Sequence, residues 1–552
     1  MARAVLYGIG VSPGIAIGDG FLLGRPPLKI KHELVPLDGV IEEARRLEAA
    51  IDRVASDFTR ARVNLAEGLE LHVEVLDSHL LICKDPKLGG EALRRIREQR
   101  MNAEWALEES VSRLAETFSR ISSPYIRDRI EDVRIVSDRI FQALAGNDPL
   151  PASGEENGIL LAYDLTPADV VGLSGDSIQS FVIERGGKTS HTGILARSLR
   201  IPAIVGAVAL CQEMLHGEKI IVDAFRSKVL LGPSDAEIAE YTALQKEYEE
   251  YQQRIRVFSA YPAESRDGQR VAVLANIESS LEAEEVLRVG GEGVGLVRTE
   301  FGYMTRSTLP EEEELVREYT RLARRMHPRK VTFRTLDVGA DKIIVSRKPL
   351  NEPNPALGLR AIRYCLRHQD IFRTQLRAIL RASVYGNAAI LLPLISSLTE
   401  LRLAKSVISE AMQELDAAKI PFDKNLPVGI MVELPSAVLV ADLLAREADF
   451  FSIGSNDLIQ YSLGVDRGNS HVSYMHQPLH PAIIRAIKQV VDMAHKAGLS
   501  VCVCGEMAAA PYFLPILLGM QVDELSLAPQ SIPSVKHLVC RNRCAVCRGV
   551  PE

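Results

Sequence analysis

The sequence predicts a multidomain α/β protein. It has an N-terminal α/β domain carrying an inserted helical subdomain, a connecting helix, and a C-terminal (β/α)8 barrel of the TIM type. Three observations lead there. Glycine-rich, strand-like segments flank a charge-dense, glycine-poor stretch from about Leu37 to Ala145. Asp235 to Val257 contains neither proline nor glycine. Beyond Ala260, eight apolar runs alternate with helical stretches, the pattern of a closed parallel barrel.

The first segment, Gly8-Ile9-Gly10-Val11-Ser12-Pro13-Gly14-Ile15-Ala16-Ile17-Gly18, reads as strand and turn. In the stretch that follows, Ile41, Ala44, Leu47, Ala50, Ile51 and Val54 recur at helical spacing. Strand character returns at Ile159–Ala162, Phe181–Ile183 and Lys219–Asp223. The simplest arrangement is an α/β domain (1–20 and 148–232) with a helical subdomain (21–147) inserted after its first strand. Ile238, Tyr241, Leu244, Tyr248 and Tyr251 step by three and four, which makes 233–259 a linker helix. The barrel takes 260–552, with strands expected at Val271–Ile277, Val294–Arg298, Val331–Leu336, Ala389–Ile395, Val428–Leu434, Phe450–Ile453, Val501–Cys504 and Leu525–Ala528. A doubly wound open sheet is the alternative that the pattern leaves open.

The chain has 552 residues, more than one domain holds, and 47% are hydrophobic, ample for large cores. A formal net charge of −7 argues against a dedicated nucleic-acid binder and is compatible with docking a basic protein partner. No apolar run is long enough to span a bilayer, so no membrane insertion is expected. Met1–Gly8 lacks a signal-peptide core, and a cytoplasmic location is expected. Eight cysteines suggest thiols, not a disulfide framework.

Gly186-Gly187-Lys188-Thr189-Ser190-His191-Thr192-Gly193 places a histidine where a glycine-opened loop turns into the amphipathic run Ile194–Leu199. Unpaired N–H groups and partial positive charge at a helix N-terminus suit an anion. A nucleophilic His191 could take up a phosphoryl group there and have the new charge stabilised. A capping histidine without chemistry is the other reading.

In a barrel, reactive residues lie at the C-terminal ends of strands. Polar residues recur there: Arg298-Thr299-Glu300, Arg334 with Asp337 and Asp341-Lys342, Glu433, Asn456-Asp457 with Arg467, and Cys504-Gly505-Glu506. Three arginines suit a phosphate or carboxylate. Glu433 and Asp457 offer the hard oxygens that Mg2+ takes while retaining water and substrate ligands. The ensemble describes a site for a small phosphate ester with Mg2+; any single arginine could equally be a surface ion pair. Cys502 and Cys504 share a strand face; Cys504, at the rim, could exchange a proton with substrate or be an inert buried thiol. His79, in Asp77-Ser78-His79-Leu80-Leu81, reads as a helix-surface histidine, with help in docking a partner as the alternative.

The words around His191, continuing through Ile201-Pro202-Ala203-Ile204-Val205-Gly206, resemble the phosphohistidine domain of phosphoenolpyruvate-utilising enzymes. That family includes pyruvate phosphate dikinase, phosphoenolpyruvate synthase and Enzyme I of the bacterial sugar phosphotransferase system. Five further words resemble the Enzyme I barrel: Gly293–Phe301, Arg334–Gly339, Asn354–Arg363, Gly429–Glu433, and Phe450–Tyr461 continuing to Val465–Asn469. The chain has no room for the nucleotide domain of the dikinases. Begun at Gly8–Gly14, it also has none for the sensory domain of the nitrogen-type paralogue. The resemblance therefore implies a phosphoenolpyruvate-protein phosphotransferase. His191 would accept phosphoryl from phosphoenolpyruvate and pass it to a histidine of the phosphocarrier HPr, docked on the helical insert. Arg298, Arg334, Asn456, Asp457 and Arg467 would bind substrate, and Glu433 and Asp457 would bind Mg2+. Cys504 would protonate enolpyruvate to pyruvate, and the barrel would mediate a homodimer.

Some positions depart from the family. Lys188 stands where Enzyme I often has arginine, and Ala340 where a second glycine is common. The chain ends soon after Cys540, Cys544 and Cys547, where relatives continue; their C-x3-C-x2-C spacing reads as an irregular tail, with a metal cluster as the alternative. Two other function classes stay open: a barrel enzyme that passes phosphate to no protein, which ATP-dependent turnover would reveal, and a regulatory module with a dead site.

Overall fold

The computed structural model describes residues 2–23, 30–63, 73–119, 124–146, 158–163, 178–184, 201–215, 217–304, 309–338, 354–467, 469 and 471–543. His191 and its loop, Lys188, Ala340, Asp341, Lys342, Cys544 and Cys547 lie outside the described residues. The chain forms two compact units, Met1–Tyr251 and Gln252–Glu552.

The first unit is built on a mixed sheet of β1 (Ala4–Tyr7), β2 (Ile9–Ser12), β3 (Ile15–Leu23), β4 (Gly158–Ala162), β5 (Ile178–Ile183), β6 (Ala203–Val205), β7 (Lys219–Asp223) and β8 (Lys228–Leu231). Its order is β1-β8-β7-β3-β4-β5-β6-β2. The neighbours β3, β4, β5 and β6 run parallel, and the remaining pairs are antiparallel. Three strands precede the helices, not the single strand expected. Gly8 and the Pro13-Gly14 pair interrupt the ladder, so one strand-like stretch becomes three short strands.

The helices are α1 (Val40–Val63), α2 (Val73–Cys83), α3 (Glu91–Gln99), α4 (Ala103–Ser119) and α5 (Pro124–Leu144). On α1, Ala44, Leu47, Ala50, Val54 and Phe58 are buried, as their three- and four-residue spacing requires. Acidic residues open α1 and arginines close it, complementing the helix dipole. The buried apolar residues of α1 pack with Leu76, Leu88, Ile96, Leu107, Val136 and Ile140 in one core. His79 belongs to this interior, contrary to the surface position expected. Leu76, His79 and Cys83 lie along one buried face of α2. The His79 ring sits 5.2 Å from that of Phe58 and its Nε2 lies 3.6 Å from an Asp132 carboxylate oxygen.

The helix α6 (Asp235–Arg256) packs Ile238, Tyr241 and Leu244 against Ile221 of β7 and Leu230 of β8. Tyr248 meets Phe225 edge-on at 4.9 Å.

In the second unit all eight expected runs are strands: β9 (Ala272–Ile277), β10 (Val294–Val297), β11 (Val331–Arg334), β12 (Ala388–Leu392), β13 (Val428–Val432), β14 (Phe451–Ile453), β15 (Val501–Val503) and β16 (Glu524–Leu527). Every neighbouring pair is parallel, and β16 pairs with β9 to close the barrel. Ladder pairing stops short of the C-terminal end of several apolar runs, so Arg298, Leu336, Leu434 and Cys504 fall just past their strands, at the rim.

Side chains alternate with the pleat. Ile390 and Leu392 of β12, Ile430 and Val432 of β13, and Phe451 and Ile453 of β14 face the outer layer. Leu391 and Met431, one residue out of phase, fill the interior with Leu296, Ala389, Phe450, Cys502 and Cys504. At the N-terminal end, Lys330 Nζ pairs with Glu524 at 3.0 Å and lies 4.6 Å above the Phe450 ring. Among the outer helices, α7 (Glu312–Met326) shows why they form: a Glu311/Glu314 capping box, three glutamates in the first turn, two arginines in the last, and Leu315, Tyr319, Leu322 and Met326 turned inward.

Phe58→Ala should cost the helical insert about 3–5 kcal/mol by leaving a cavity in its buried core. Denaturant unfolding followed by fluorescence of the sole tryptophan, Trp105 on α4, reads this directly; a loss below about 1 kcal/mol would contradict the packing.

Candidate active site

The period of two fixes which residues meet at the barrel mouth. Arg334 follows Thr332 by two, Glu433 follows Met431, and Cys504 follows Cys502, so each points inward at the C-terminal rim.

Arg334 is clasped by carboxylates: one guanidinium nitrogen is 3.0 Å from Glu300, another 2.9 Å from Asp337. Glu300 also accepts the Asp337 backbone N–H at 3.0 Å. Burial opposes the charge on Arg334, but Glu300, Asp337 and Glu433 outweigh it and hold the guanidinium protonated above its ordinary value. Its Nε is buried without a hydrogen-bond partner.

Arg360 makes the second link. It donates to Asp337 at 2.8 Å, to Asp457 at 3.2 Å and to the Tyr461 hydroxyl at 2.9 Å. Arg467 lies 3.5 Å from the other Asp457 oxygen, and Arg298 lies 3.6 Å from Glu278. Both side chains remain nearly half exposed, so they border the mouth while Arg334 and Arg360 are fixed inside it. Asn456 Oδ1 accepts the Glu506 N–H at 3.1 Å, and its carbonyl lies 3.2 Å from the His476 ring. The barrel thus brings together Arg334, Glu433, Asp457 and Arg467 with Arg298, Asn456 and Cys504 on the same rim.

Glu433 is 1% exposed and accepts the Leu394 N–H at 2.6 Å. Burial, then Asp337 and Asp457, push its carboxyl well above the usual carboxylate range, against the pull of Arg334 and Arg360. This crowding of negative charge is what a divalent cation would relieve. Among the described residues no three His, Cys, Asp or Glu side chains form a metal cluster. Glu433 and Asp457 alone would leave most of a cation's coordination to substrate and water, which suits Mg2+.

Cys504 is buried. Its Sγ accepts a hydrogen bond from the Ser452 hydroxyl at 3.2 Å and lies 3.5 Å from the Ile453 carbonyl. Burial pushes its thiol up, so it is held protonated. Gly505, beside it, has no room for a side chain: a Cβ there would lie 1.8 Å from Ser455 Oγ. Of the tail cysteines, Cys540 Sγ lies 3.8 Å from the Pro262 carbonyl.

Sequence reasoning missed two positioning groups. Arg360 lies at the start of α8 (Ala361–Arg367), not at a strand end, so the strand-end rule does not reach it. Gln375, wholly buried on α9 (Gln369–Ala382), reaches between β10 and β11. Its amide donates to Thr299 Oγ1 and its oxygen accepts the Leu336 N–H, both at 2.9 Å. Thr299 donates in turn to the Arg334 carbonyl at 2.8 Å, tying the loop that carries Arg298 to the end of β11. Two non-glycine residues in the left-handed region adjoin the site: Leu394 (φ 55°), which holds Glu433, and Ala361 (φ 52°), next to Arg360. Such strain concentrates at functional sites.

The chain matches three family models of phosphoenolpyruvate-utilising enzymes: the N-terminal domain over residues 7–129, the mobile domain over 154–227, and the phosphoenolpyruvate-binding domain over 252–544. It is 40% identical to the phosphoenolpyruvate-protein phosphotransferase of Priestia megaterium, over 96% of this chain and 92% of that protein. It is 38% identical to that of Listeria monocytogenes (97% and 94% covered) and 37% identical to that of Staphylococcus carnosus (98% and 94%).

Because the folded Glu433 carboxyl holds its proton more tightly than the unfolded one, its contribution to barrel stability without divalent cations is fully present below the ordinary carboxylate range. It should fall as pH rises toward the raised folded value. Glu433→Gln keeps an acceptor for Leu394 and is expected to flatten that fall in denaturant midpoints; an unchanged slope contradicts the assignment.

Proposed function

The chain belongs to the phosphoenolpyruvate-utilising enzyme family, and from that premise we propose that it is a phosphoenolpyruvate-protein phosphotransferase acting through His191. The observation that carries this reading is the buried clasp at the barrel mouth: guanidinium groups held in place beside two carboxylates whose crowded charge a cation would relieve.

Phosphoenolpyruvate binds this rim. Arg298, Arg334, Arg467 and Asn456, joined by Arg360, hold its phosphate and carboxylate. Glu433 and Asp457 would hold Mg2+, which would supply positive charge to offset that of the substrate. An unprotonated ring nitrogen of His191 attacks phosphorus; the P–N bond forms as the bond to the enol oxygen breaks. Cys504 gives its proton to C3 of enolpyruvate, the enolate oxygen becomes the carbonyl of pyruvate, and the thiolate is reprotonated from solvent. Alignment and charge stabilisation supply most of the catalysis in such a transfer. His191 then surrenders the phosphoryl group to a histidine of HPr, starting sugar phosphotransfer.

The domain assignment follows: a phosphohistidine domain (1–20 and 148–232), an HPr-docking insert (21–147), a linker helix (233–259) and a phosphoenolpyruvate-binding barrel (260–552). We place the protein in the cytoplasm as a homodimer through its barrel. Among the described residues no helix is long and apolar enough to cross a membrane.

Incubation with phosphate-labelled phosphoenolpyruvate and Mg2+ should leave an acid-labile label that maps to His191. His191→Ala should take no label, and Arg360→Lys should weaken substrate binding by about tenfold or more, since a lysine cannot bridge Asp337, Asp457 and Tyr461 together. Label at another residue, or its persistence in His191→Ala, overturns the reading.

A further inference from the structure

Ser452 lies on β14 with its side chain turned into the barrel, and it is 1% exposed. Its Cα register partner is Cys502, and one layer above, its hydroxyl donates to Cys504 Sγ at 3.2 Å. The Cys504 backbone is pinned around this contact. Its N–H donates to the Ile453 carbonyl at 3.1 Å, and its carbonyl accepts from the Asn276 amide at 3.2 Å. Asn276 is itself held by the Ser526 hydroxyl at 2.6 Å. The backbone that carries the sulfur is therefore fixed, the sulfur itself lies 3.5 Å from the Ile453 carbonyl, and the Ser452 hydroxyl, which also bonds Cys502, reaches it.

A hydrogen bond to a neutral thiol is weak, whereas one to a thiolate is charge-assisted and much stronger. The Ser452 contact thus strengthens as the proton leaves Cys504, which is when it can speed the step. The charged groups that bear on the sulfur do not supply this alone: Glu433 opposes a thiolate, while Arg334 and Arg298 favour one.

We propose that Ser452 is a positioning residue for proton transfer, orienting the Cys504 sulfur and stabilising the thiolate left when enolpyruvate is protonated. The proposal rests on the role given to Cys504 above. In reverse, the Cys504 thiolate removes a methyl proton from pyruvate, the enolate oxygen takes phosphorus from phospho-His191, and the P–N bond breaks.

The test is the transfer from phospho-His191 of the intact protein to pyruvate, with methyl-deuterated and ordinary pyruvate compared. Ser452→Ala should slow it about tenfold and enlarge the deuterium isotope effect, because the proton step becomes more limiting. Transfer from phospho-His191 to HPr should be unchanged, and Ser452→Thr, which restores a hydroxyl, should recover the pyruvate rate. An isotope effect equal to that of the wild type overturns the proposal, as does an equal loss in both transfers that threonine does not rescue. Failure of the underlying reading is distinguishable: Cys504→Ala would then keep an isotope-sensitive pyruvate reaction.

Discussion

The architecture of the second unit depends on one constraint: Arg334 must stay charged inside a barrel. An isolated guanidinium there would be prohibitively costly, and only hydrogen-bonded carboxylates make its burial tolerable. Glu300 and Asp337 meet that need, Arg360 joins Asp337 to Asp457, and Gln375 fixes the two loops that carry Glu300 and Asp337. The network draws on β10, β11, the start of α8 and the segment after β14, so the closed barrel is what brings it together. Its excess of negative charge around Glu433 leaves it incomplete without a cation and an anionic ligand.

Stability and chemistry are separated along the barrel axis. The N-terminal end is tied by Lys330 and Glu524 over the Phe450 ring, and the middle is filled by Leu296, Leu391, Met431 and Cys502. At the upper rim, Leu394 and Ala361 adopt left-handed backbone angles beside Glu433 and Arg360. An apolar floor of this kind can hold the strands in register while the rim groups stay imperfectly satisfied.

Much of this was legible in the sequence because strand period and strand order are local properties. The eight barrel runs could be read from apolar residues alone, and Arg334, Glu433 and Cys504 from their place at the run ends. What escaped depends on tertiary context. Gln375 reads as one polar residue on an amphipathic helix, and nothing in its neighbours says that it reaches between strands. Arg360 lies far along the chain from the carboxylates it bridges. His79 was placed on a surface because histidine is polar, yet the helical phase shared with Leu76 and Cys83 takes it inside. The first three strands merged into one reading because glycine and proline mark interruptions without saying whether the chain leaves the sheet or turns within it.

The central claim is that the rim is an anion site whose affinity depends on its cation. Calorimetric titration of the His191→Ala protein, which can bind phosphoenolpyruvate but not consume it, isolates that claim. Binding should be strong with Mg2+ present, fall sharply when it is chelated, and be lost in Asp457→Asn at either condition. Equal affinity with and without the cation, undiminished by the substitution, would contradict the account.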